Sequence, residues 1–263
     1  DRAGLVGDDG PTHHGMFDIA LLRCVPNLKI LAPSNEAELA HALHTALKLE
    51  GPVALRYPRG EAVGVPMPDD ALMMKPGKSR VLREGSDAAI LAFGRMANYA
   101  ADAAELLSKQ GCSVRVVDMR WVKPLDLEAI AAAAETGIVV TVEDGVRIGG
   151  AGEGVAEALA LMGAKAKVKV LGLPDSFVAQ GKVNQLFADV GIDAEGIALN
   201  DCLRRLEEEG TPSKPESLRD EILALNIYNS VFVDCTASAE VAALYRSLLD
   251  HNVSVVASNK IAA

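Results

Sequence analysis

Cysteine, aromatic residues and long apolar runs are all scarce in this sequence, and each scarcity excludes a class of protein. The four cysteines, Cys24, Cys112, Cys202 and Cys235, lie far apart and form no C-x-x-C pair. A zinc ribbon or a disulfide scaffold is therefore not indicated, and a reducing cytoplasmic compartment fits. No apolar run of about 18 residues and no basic-then-apolar leader occurs, so nothing predicts a membrane span or secretion.

Positive charge is also in deficit. Lys and Arg number 26 against 36 Asp and Glu, which gives a formal net charge of −10. Such a protein repels a phosphate backbone unless its basic residues are focused at one place, so nucleic acid is not an expected partner. Apolar residues, in contrast, make up 49% of the 263 positions, enough for one large or two modest cores.

The beginning of the chain predicts a loop followed by a strand–helix–strand unit. Residues 1–27 carry few periodic apolar positions, whereas 28–32 and 53–57 are short apolar strands flanking a helix at 35–46. Ser34 is the predicted cap of that helix. This order of elements predicts a parallel strand pair.

Further along, a predicted linker leads into a regular alternation of strands and helices. Residues 61–84 are rich in Pro, Met, Asp and Lys and show no sustained period, which is typical of a linker between domains. The predicted strands after it are 88–93, 113–119, 138–142 and 168–173, and the predicted helices are 97–110, 127–134 and 153–161. Short apolar strands joined by helices indicate an open parallel sheet covered on both faces.

The character of the chain changes after about residue 198. A charged helical stretch comes first, and a further strand–helix–strand unit follows. Its predicted elements are a strand at 231–234, a helix at 239–249 capped by Ser238, and a strand at 253–257. We therefore predict an α/β protein with domains at 1–76, 77–198 and 199–263.

The first candidate site is the loop Asp8–Gly15, which includes Asp9 and His13. Imidazole and carboxylate groups bracketed by glycines can exchange protons near neutral pH and orient a polar substrate. The alternative is a turn whose Asp and Thr satisfy local backbone groups while both histidines, His13 and His14, are merely exposed. A metal site is weaker still, because adjacent histidines seldom chelate one ion.

Four other segments are also candidates. Arg56–Gly60 follows a strand, where an arginine can grip a phosphate or simply be solvated. Gly145–Gly154 contains GGAGEG before a helix, which favours close packing or a subunit contact over an anion site. Asp234-Cys235-Thr236 and Asn259-Lys260 stand at the strand ends of the last unit.

Several of these segments carry a family resemblance. DRAGLVGDDGPTHHG, RYPRG, VDMRWVKPLD, VTVEDGVRIGGAG and GLPDSFVAQG resemble the 1-deoxy-D-xylulose-5-phosphate synthases of the transketolase superfamily, over residues 1–198. The resemblance implies the end of a transketolase-type pyrimidine domain, then a parallel-sheet transketolase C-terminal domain. It also implies a transferase of isoprenoid biosynthesis that joins pyruvate and glyceraldehyde 3-phosphate with loss of CO2, and that is a homodimer.

The same resemblance assigns roles to four residues. Arg2 and Arg59 are expected to bind the phosphate of glyceraldehyde 3-phosphate, while Asp9 and His13 contact its hydroxyl and aldehyde end and assist proton movement. His14 stands where the motif varies and receives no role. The cofactors implied are thiamine diphosphate and Mg²⁺, whose binding residues are largely absent from this sequence. We therefore expect the polypeptide by itself to be inactive.

The tail has a resemblance of its own. NIYNSVFVDCTASAEVAALYRSLLDHNVSVVASNKIAA resembles part of the NAD-binding domain of homoserine dehydrogenases, with Thr236 and Lys260 at nicotinamide-side positions. The fingerprint glycines are missing, so NAD(P) binding by this extra βαβ fragment is not expected. Two alternatives to a synthase fragment stay open: an oxidoreductase fragment and a non-catalytic interface module.

Overall fold

The structure, a computed structural model, describes residues 1–198, 219–220, 222–224, 231–234 and 239–257. The chain divides into two units, Asp1–Leu203 and Arg204–Ala263. Within the described residues, no helix has both the length and the apolar character that a membrane crossing requires.

Unit one begins with a loop and a strand–helix–strand motif. Its first elements are a short 3-10 helix (Gly7–Asp9), α1 (Asp18–Arg23), β1 (Lys29–Leu31), α2 (Glu36–Ala46) and β2 (Val53–Leu55). The parallel pairing of β1 with β2 is confirmed, with Ile30 opposite Ala54. The loop prediction for residues 1–27 is wrong in part, because the 3-10 helix and α1 lie within it.

The predicted cap of α2 is also wrong by one residue. The Asn35 side chain accepts the backbone N–H of Glu38 at 3.0 Å and so caps the helix. Ser34 instead donates its hydroxyl to the buried Asp118 carboxylate at 2.7 Å.

The rest of unit one is built on a five-stranded sheet. Its elements are β3 (Arg80–Arg83), β4 (Ala88–Ala92), α3 (Met96–Lys109), β5 (Val114–Asp118), β6 (Trp121–Lys123), α4 (Leu127–Ala134), β7 (Ile138–Val146), α5 (Ala151–Leu161), β8 (Lys167–Leu173) and α6 (Val183–Asp189). The strand order is β3-β5-β4-β7-β8. The predicted strands and helices of this region are confirmed to within a few residues.

Two elements depart from the predicted all-parallel sheet. β3 lies inside the predicted linker 61–84 and pairs antiparallel with β5, so that part of the linker prediction is wrong. β6 is not part of the five-stranded sheet. It pairs antiparallel with β1, with Trp121 opposite Leu31. The three-stranded sheet β2-β1-β6 thus takes strands from both sides of the linker.

Alternate residues of the strands build one core on each face of the five-stranded sheet. Ala88, Ile90 and Ala92 of β4 pack with α3 and α6 on one face. Ala89 and Leu91 pack with α4 and α5 on the other face. Helices therefore bury both faces of this sheet, which explains why its inner strands are largely apolar.

Buried charges join the two sides of the linker. Glu38 of α2 is buried, accepts a hydrogen bond from Arg120 at 2.7 Å and forms an ion pair with Arg80 at 3.1 Å. Burial raises the pKa of the neighbouring Asp118 to about 6, although the Ser34 hydroxyl bond opposes the rise. Such a buried cluster fixes the two parts in one arrangement, because losing one partner leaves a charge unpaired.

The tail unit is a small parallel motif. Its described elements are β9 (Val231–Asp234), α7 (Ala239–Ala242), α8 (Tyr245–Asp250) and β10 (Ser254–Ala257), and β9 pairs parallel with β10. The single helix predicted at 239–249 is wrong, since two short helices replace it and bury Leu244 and Leu248. The predicted Ser238 cap and most of the charged helical stretch lie outside the described residues.

Candidate functional site

The loop of the first candidate site is folded tightly on itself. The backbone N–H groups of His13 and His14 both donate to the Gly10 carbonyl, at 3.0 and 3.2 Å. Gly10 has φ of 70°, and a Cβ there would come within 3.2 Å of Gln180 Cβ. The loop therefore packs directly on the segment around Gln180, and glycine is required for that approach.

His14 is a structural residue of this loop. Its ring is buried, Nδ1 accepts the backbone N–H of Val6 at 3.1 Å, and Nε2 lies 3.4 Å from the Ala179 carbonyl. Since Nδ1 accepts, the proton sits on Nε2 and donates to that carbonyl. His14 thus ties the loop to residue 179, and the alternative in which both histidines are exposed is wrong.

Asp9 and Arg59 are brought together from opposite ends of this region. The Arg59 guanidinium forms an ion pair with the Asp9 carboxylate, and the two side chains are 53% and 32% exposed. An arginine held at the surface by one carboxylate keeps donors available for a second anion.

The backbone beside Arg2 is hydrogen-bonded to the segment that carries Arg59. The N–H of the next residue, Ala3, donates to the Tyr57 carbonyl at 3.0 Å, two residues before Arg59. Arg2 has φ of 67°, and a Cβ on Gly15 would overlap its carbonyl oxygen. Residues 1–4, which we call the Arg2 arm, therefore lie beside residues 57–59, which we call the Arg59 arm. Gly15 packs against the Arg2 arm.

His13 is exposed and is not bonded to the other three predicted site residues. Its Nδ1 is 2.9 Å from the Thr12 hydroxyl, and within residues 1–198 its side chain makes no hydrogen bond to Arg2, Asp9 or Arg59. The ring is free to meet a ligand on the surface of the loop.

Arg56 has a role that the sequence did not indicate. It is buried between two carboxylates: Nε donates to Asp18 at 2.7 Å and Nη1 donates to Asp144 at 2.7 Å. Burial opposes its charge, but Asp144 and Asp18 together raise the pKa of Arg56 above its ordinary value. Arg56 therefore holds the strand end that carries Arg59 and is not itself a phosphate ligand.

Asp144 also touches the Arg2 arm. A Cβ on Gly4 would lie 2.5 Å from Asp144 Oδ2, so the chain there passes directly over the carboxylate. The ion pairs of Arg56 and this contact position both arms against β7. The signal in the sequence was the acidic pair Glu143-Asp144 at the end of an apolar strand, where buried acids need partners.

The glycine-rich segment after β7 is a packing device, which confirms the close-packing interpretation. A Cβ on Gly152 would lie 2.6 Å from Val170 Cγ1. Arg23 donates to the Gly149 carbonyl at 2.6 Å and also to Gly150, so its guanidinium is occupied. No anion site is needed to explain the glycines.

Glu143 caps the helix that follows this segment. Its carboxylate accepts the N–H groups of Gly152 at 2.8 Å and Ala151 at 3.0 Å. Burial nevertheless raises the pKa of Glu143 to about 7, and those two backbone bonds only partly oppose the rise.

Family models match three stretches of the chain. Residues 1–63 match the transketolase pyrimidine binding domain, and residues 77–197 match the transketolase C-terminal domain. Residues 148–263 match the homoserine dehydrogenase NAD binding domain, which overlaps the second stretch and includes the tail. The fold and these matches define a transketolase-type α/β assembly over the first 197 residues, and the tail resemblance is confirmed.

Within that class, the similar curated proteins are 1-deoxy-D-xylulose-5-phosphate synthases. The chain is 51% identical over 199 residues to the synthase of Syntrophotalea carbinolica and 48% identical over 199 residues to that of Heliobacterium modesticaldum. Each alignment covers 75% of this chain and 31% of the relative. The chain thus spans about a third of the length of these relatives.

Two solved structures share the fold. A split gene transketolase, described as an inactive beta4 tetramer, is 34% identical with a TM-score of 0.65, covering 72% of this chain and 61% of that one. A transketolase R525L mutant from Pichia stipitis is 20% identical with a TM-score of 0.59, covering 80% of this chain and 30% of that one. The second likeness concerns the fold alone.

Proposed function

We propose that residues 1–198 are the acceptor-binding and C-terminal part of a 1-deoxy-D-xylulose-5-phosphate synthase that works in the cytoplasm. In this proposal the domains are 1–76 and 77–198, followed by a separate tail at 199–263. The observation that carries the proposal is the exposed Asp9–Arg59 pair beside the Arg2 arm.

The two arginines bind the phosphate of glyceraldehyde 3-phosphate. A phosphate dianion competes with the Asp9 carboxylate for the Arg59 fork, and charge-assisted bonds to guanidinium are each worth about 1.5–3 kcal/mol. In this proposal Asp9, once released, and His13 contact the hydroxyl and aldehyde end and hold or pass a proton. Pyruvate carries no phosphate and does not need the arginines.

The cofactors of this family are thiamine diphosphate and Mg²⁺, and the residues described here do not fit the metal. In the part of the chain that the structure describes, no group of three or more His, Cys, Asp or Glu side chains is arranged to hold a metal ion. The chemistry of the two-carbon unit is therefore assigned to residues other than these, and the 263-residue polypeptide is expected to form no product by itself.

The test is Arg59→Ala in this segment complemented with the cofactor-binding domain of a relative. We expect the KM for glyceraldehyde 3-phosphate to rise about tenfold or more, which corresponds to about 1.4 kcal/mol, with the KM for pyruvate within about threefold. Arg59→Lys recovers only part, because a point charge cannot reproduce the planar fork. Equal losses for both substrates contradict the proposal and make Arg59 a residue that holds the loop.

Self-association is part of the same proposal. Phe17 and Phe177 stack edge to face at 6.0 Å and remain 39% and 74% exposed. Leu21 on α1 and Ile148 before α5 are exposed as well. We infer that these apolar side chains meet a second copy, in line with the tetramer of the split gene relative. Sedimentation of wild type against Phe177→Ser tests this, and unchanged association contradicts it.

A second candidate function concerns the tail. Its match to a NAD binding domain and the parallel pair β9 and β10 favour a nicotinamide cofactor. Titration of NADPH followed by its fluorescence tests this candidate. Saturable binding supports this candidate. Because the fingerprint glycines are missing, the expected result is no saturable binding, which would reject the candidate and leave the synthase proposal.

A further inference from the structure

A cavity of about 490 Å³ opens in unit one where three strands end. Pro33 and Ser34 follow β1, Tyr57 and Pro58 follow β2, and Arg95 follows β4. Neither Asp9 nor Arg59 lines it. The carboxyl ends of parallel strands are where open sheets bind ligands, and the volume suits a small organic molecule.

Arg95 is the unusual residue of this cavity. Its guanidinium lies over the Phe187 ring, 5.5 Å from the centroid, and its Nη1 is buried without a hydrogen-bond partner. Within residues 1–198 the Arg95 side chain makes neither a hydrogen bond nor an ion pair. This is notable in a protein of net charge −10, where carboxylates are plentiful.

An arginine that is partly removed from water and unpaired has unmet donors. The guanidinium carries five N–H groups in a rigid fork that matches a carboxylate or a phosphate. Nη1 itself is out of reach of water, so the donors open to a ligand are those of Nε and Nη2, and an oxyanion that accepts from them is favoured. These donors of Arg95 therefore define the polar end of a ligand.

The remaining walls define the rest of that ligand. Leu39, Tyr57, Val63 and Tyr99 contribute apolar surface. The Glu36 carboxylate does not compete for Arg95, because it accepts the N–H groups of residues 64 and 65 at 2.6 and 2.7 Å. Those bonds hold the segment that forms one wall.

We propose that this cavity is a binding site for a small organic anion, a carboxylate or a phosphate on an apolar body, with Arg95 as the anchoring cation. Arg59 does not line the cavity although its neighbours Pro58 and Gly60 do, so the site differs from the proposed phosphate site and does not depend on the synthase proposal. Asp102 and Glu61, the other carboxylates of the lining, disfavour a large or highly charged anion.

Tyrosine labelling allows the site to be tested in the full chain. The chain has four tyrosines, of which Tyr57 and Tyr99 line the cavity and Tyr245 does not. In protein labelled with 3-fluorotyrosine, phenyl phosphate and phenylacetate are titrated, with inorganic phosphate as a third probe. We expect saturable ¹⁹F shifts of Tyr57 and Tyr99 and none of Tyr245. The phenyl compounds should bind about tenfold more tightly than phosphate, because the ring buries apolar surface.

Matched variants separate this site from the proposed substrate site. Arg95→Gln should weaken phenyl phosphate at least about tenfold, and Arg95→Lys should keep part of the affinity. Arg83→Gln removes the same charge elsewhere in unit one and should change nothing. The fluorescence of the single tryptophan, Trp121, reports whether each variant is folded.

Three results would overturn the proposal. One is the absence of shifts of Tyr57 and Tyr99 with either phenyl compound up to about 10 mM, a concentration that corresponds to affinity too weak to be specific. Another is unchanged affinity in a folded Arg95→Gln. The third is loss of the shifts in Arg59→Ala but not in Arg95→Gln, which assigns the anion to the Asp9–Arg59 region instead.

Discussion

Protonation of Glu143 should make unit one more stable in mild acid. Its pKa of about 7 in the folded chain stands against an ordinary value of 4.5, a difference of about 3 kcal/mol. Burial causes this rise, so the folded state binds the proton more tightly than the unfolded state does. The contribution is complete below the unfolded pKa, and it is lost as the pH rises from about 4.5 through about 7.

The comparison of wild type with Glu143→Gln isolates this group. Gln carries no charge at any pH and can still accept one of the two backbone N–H groups at the start of α5. Asp118, whose raised pKa has no contribution from Glu143, titrates equally in both proteins and cancels in the difference. The wild-type free energy of unfolding should gain about 3 kcal/mol relative to the variant between about pH 8 and about pH 5.

Urea unfolding at several pH values measures this difference. Trp121 is the only tryptophan and is fully buried in unit one, so its emission follows that unit and not the tail. Glu157→Gln on the exposed side of α5 is the matched control and should track the wild type. Parallel pH profiles for wild type and a folded Glu143→Gln would refute the reasoning, as would a gain toward alkaline pH.

Other perturbations test the packing and the boundaries of unit one. Arg56→Met should lower the free energy of unfolding by about 3–5 kcal/mol, because it leaves the buried Asp144 and the half-buried Asp18 carboxylates unpaired; a loss below about 1 kcal/mol in urea unfolding contradicts this. Gly152→Ala should cost about 1–3 kcal/mol through overlap with Val170, and an unchanged unfolding midpoint disproves the close packing. Limited proteolysis should cut first within 61–84, and early cleavage inside 88–173, seen by mass spectrometry, speaks against the core assignment.

Hydrophobic periodicity predicted the helices and those strands that helices cover on both faces of the sheet. β4 is wholly apolar and β5 and β7 are largely apolar because helices cover both faces, and that pattern is visible in the sequence. β3 and β6 were not predicted, because each has only three or four residues and its pairing partner lies far along the chain. An edge strand with alternating charge looks like a linker until its neighbour is known.

The candidate site was likewise predicted only in part. The chemistry of Asp9 and Arg59 was predicted from the family resemblance, and the structure joins these two residues across 50 positions. The triad of Arg56, Asp18 and Asp144 was not predicted, because sequence separations of 38 and 88 carry no local signal. The same is true of Arg95, which has no hydrogen-bond or ion-pair partner within residues 1–198, since a missing partner cannot be recognised before the fold is known.

β6, from residues 77–198, pairs with β1, from residues 1–76, so the two ranges complete one sheet and need each other. A chromosomal breakpoint between them would leave β1 with an unpaired edge in one product and a stray strand in the other, and open edges invite aggregation. The pairings of β1 to β8 all have both members before residue 199, so a breakpoint after that position divides none of them. We therefore expect gene fission and fusion to disrupt this sheet less beyond residue 198 than at the linker.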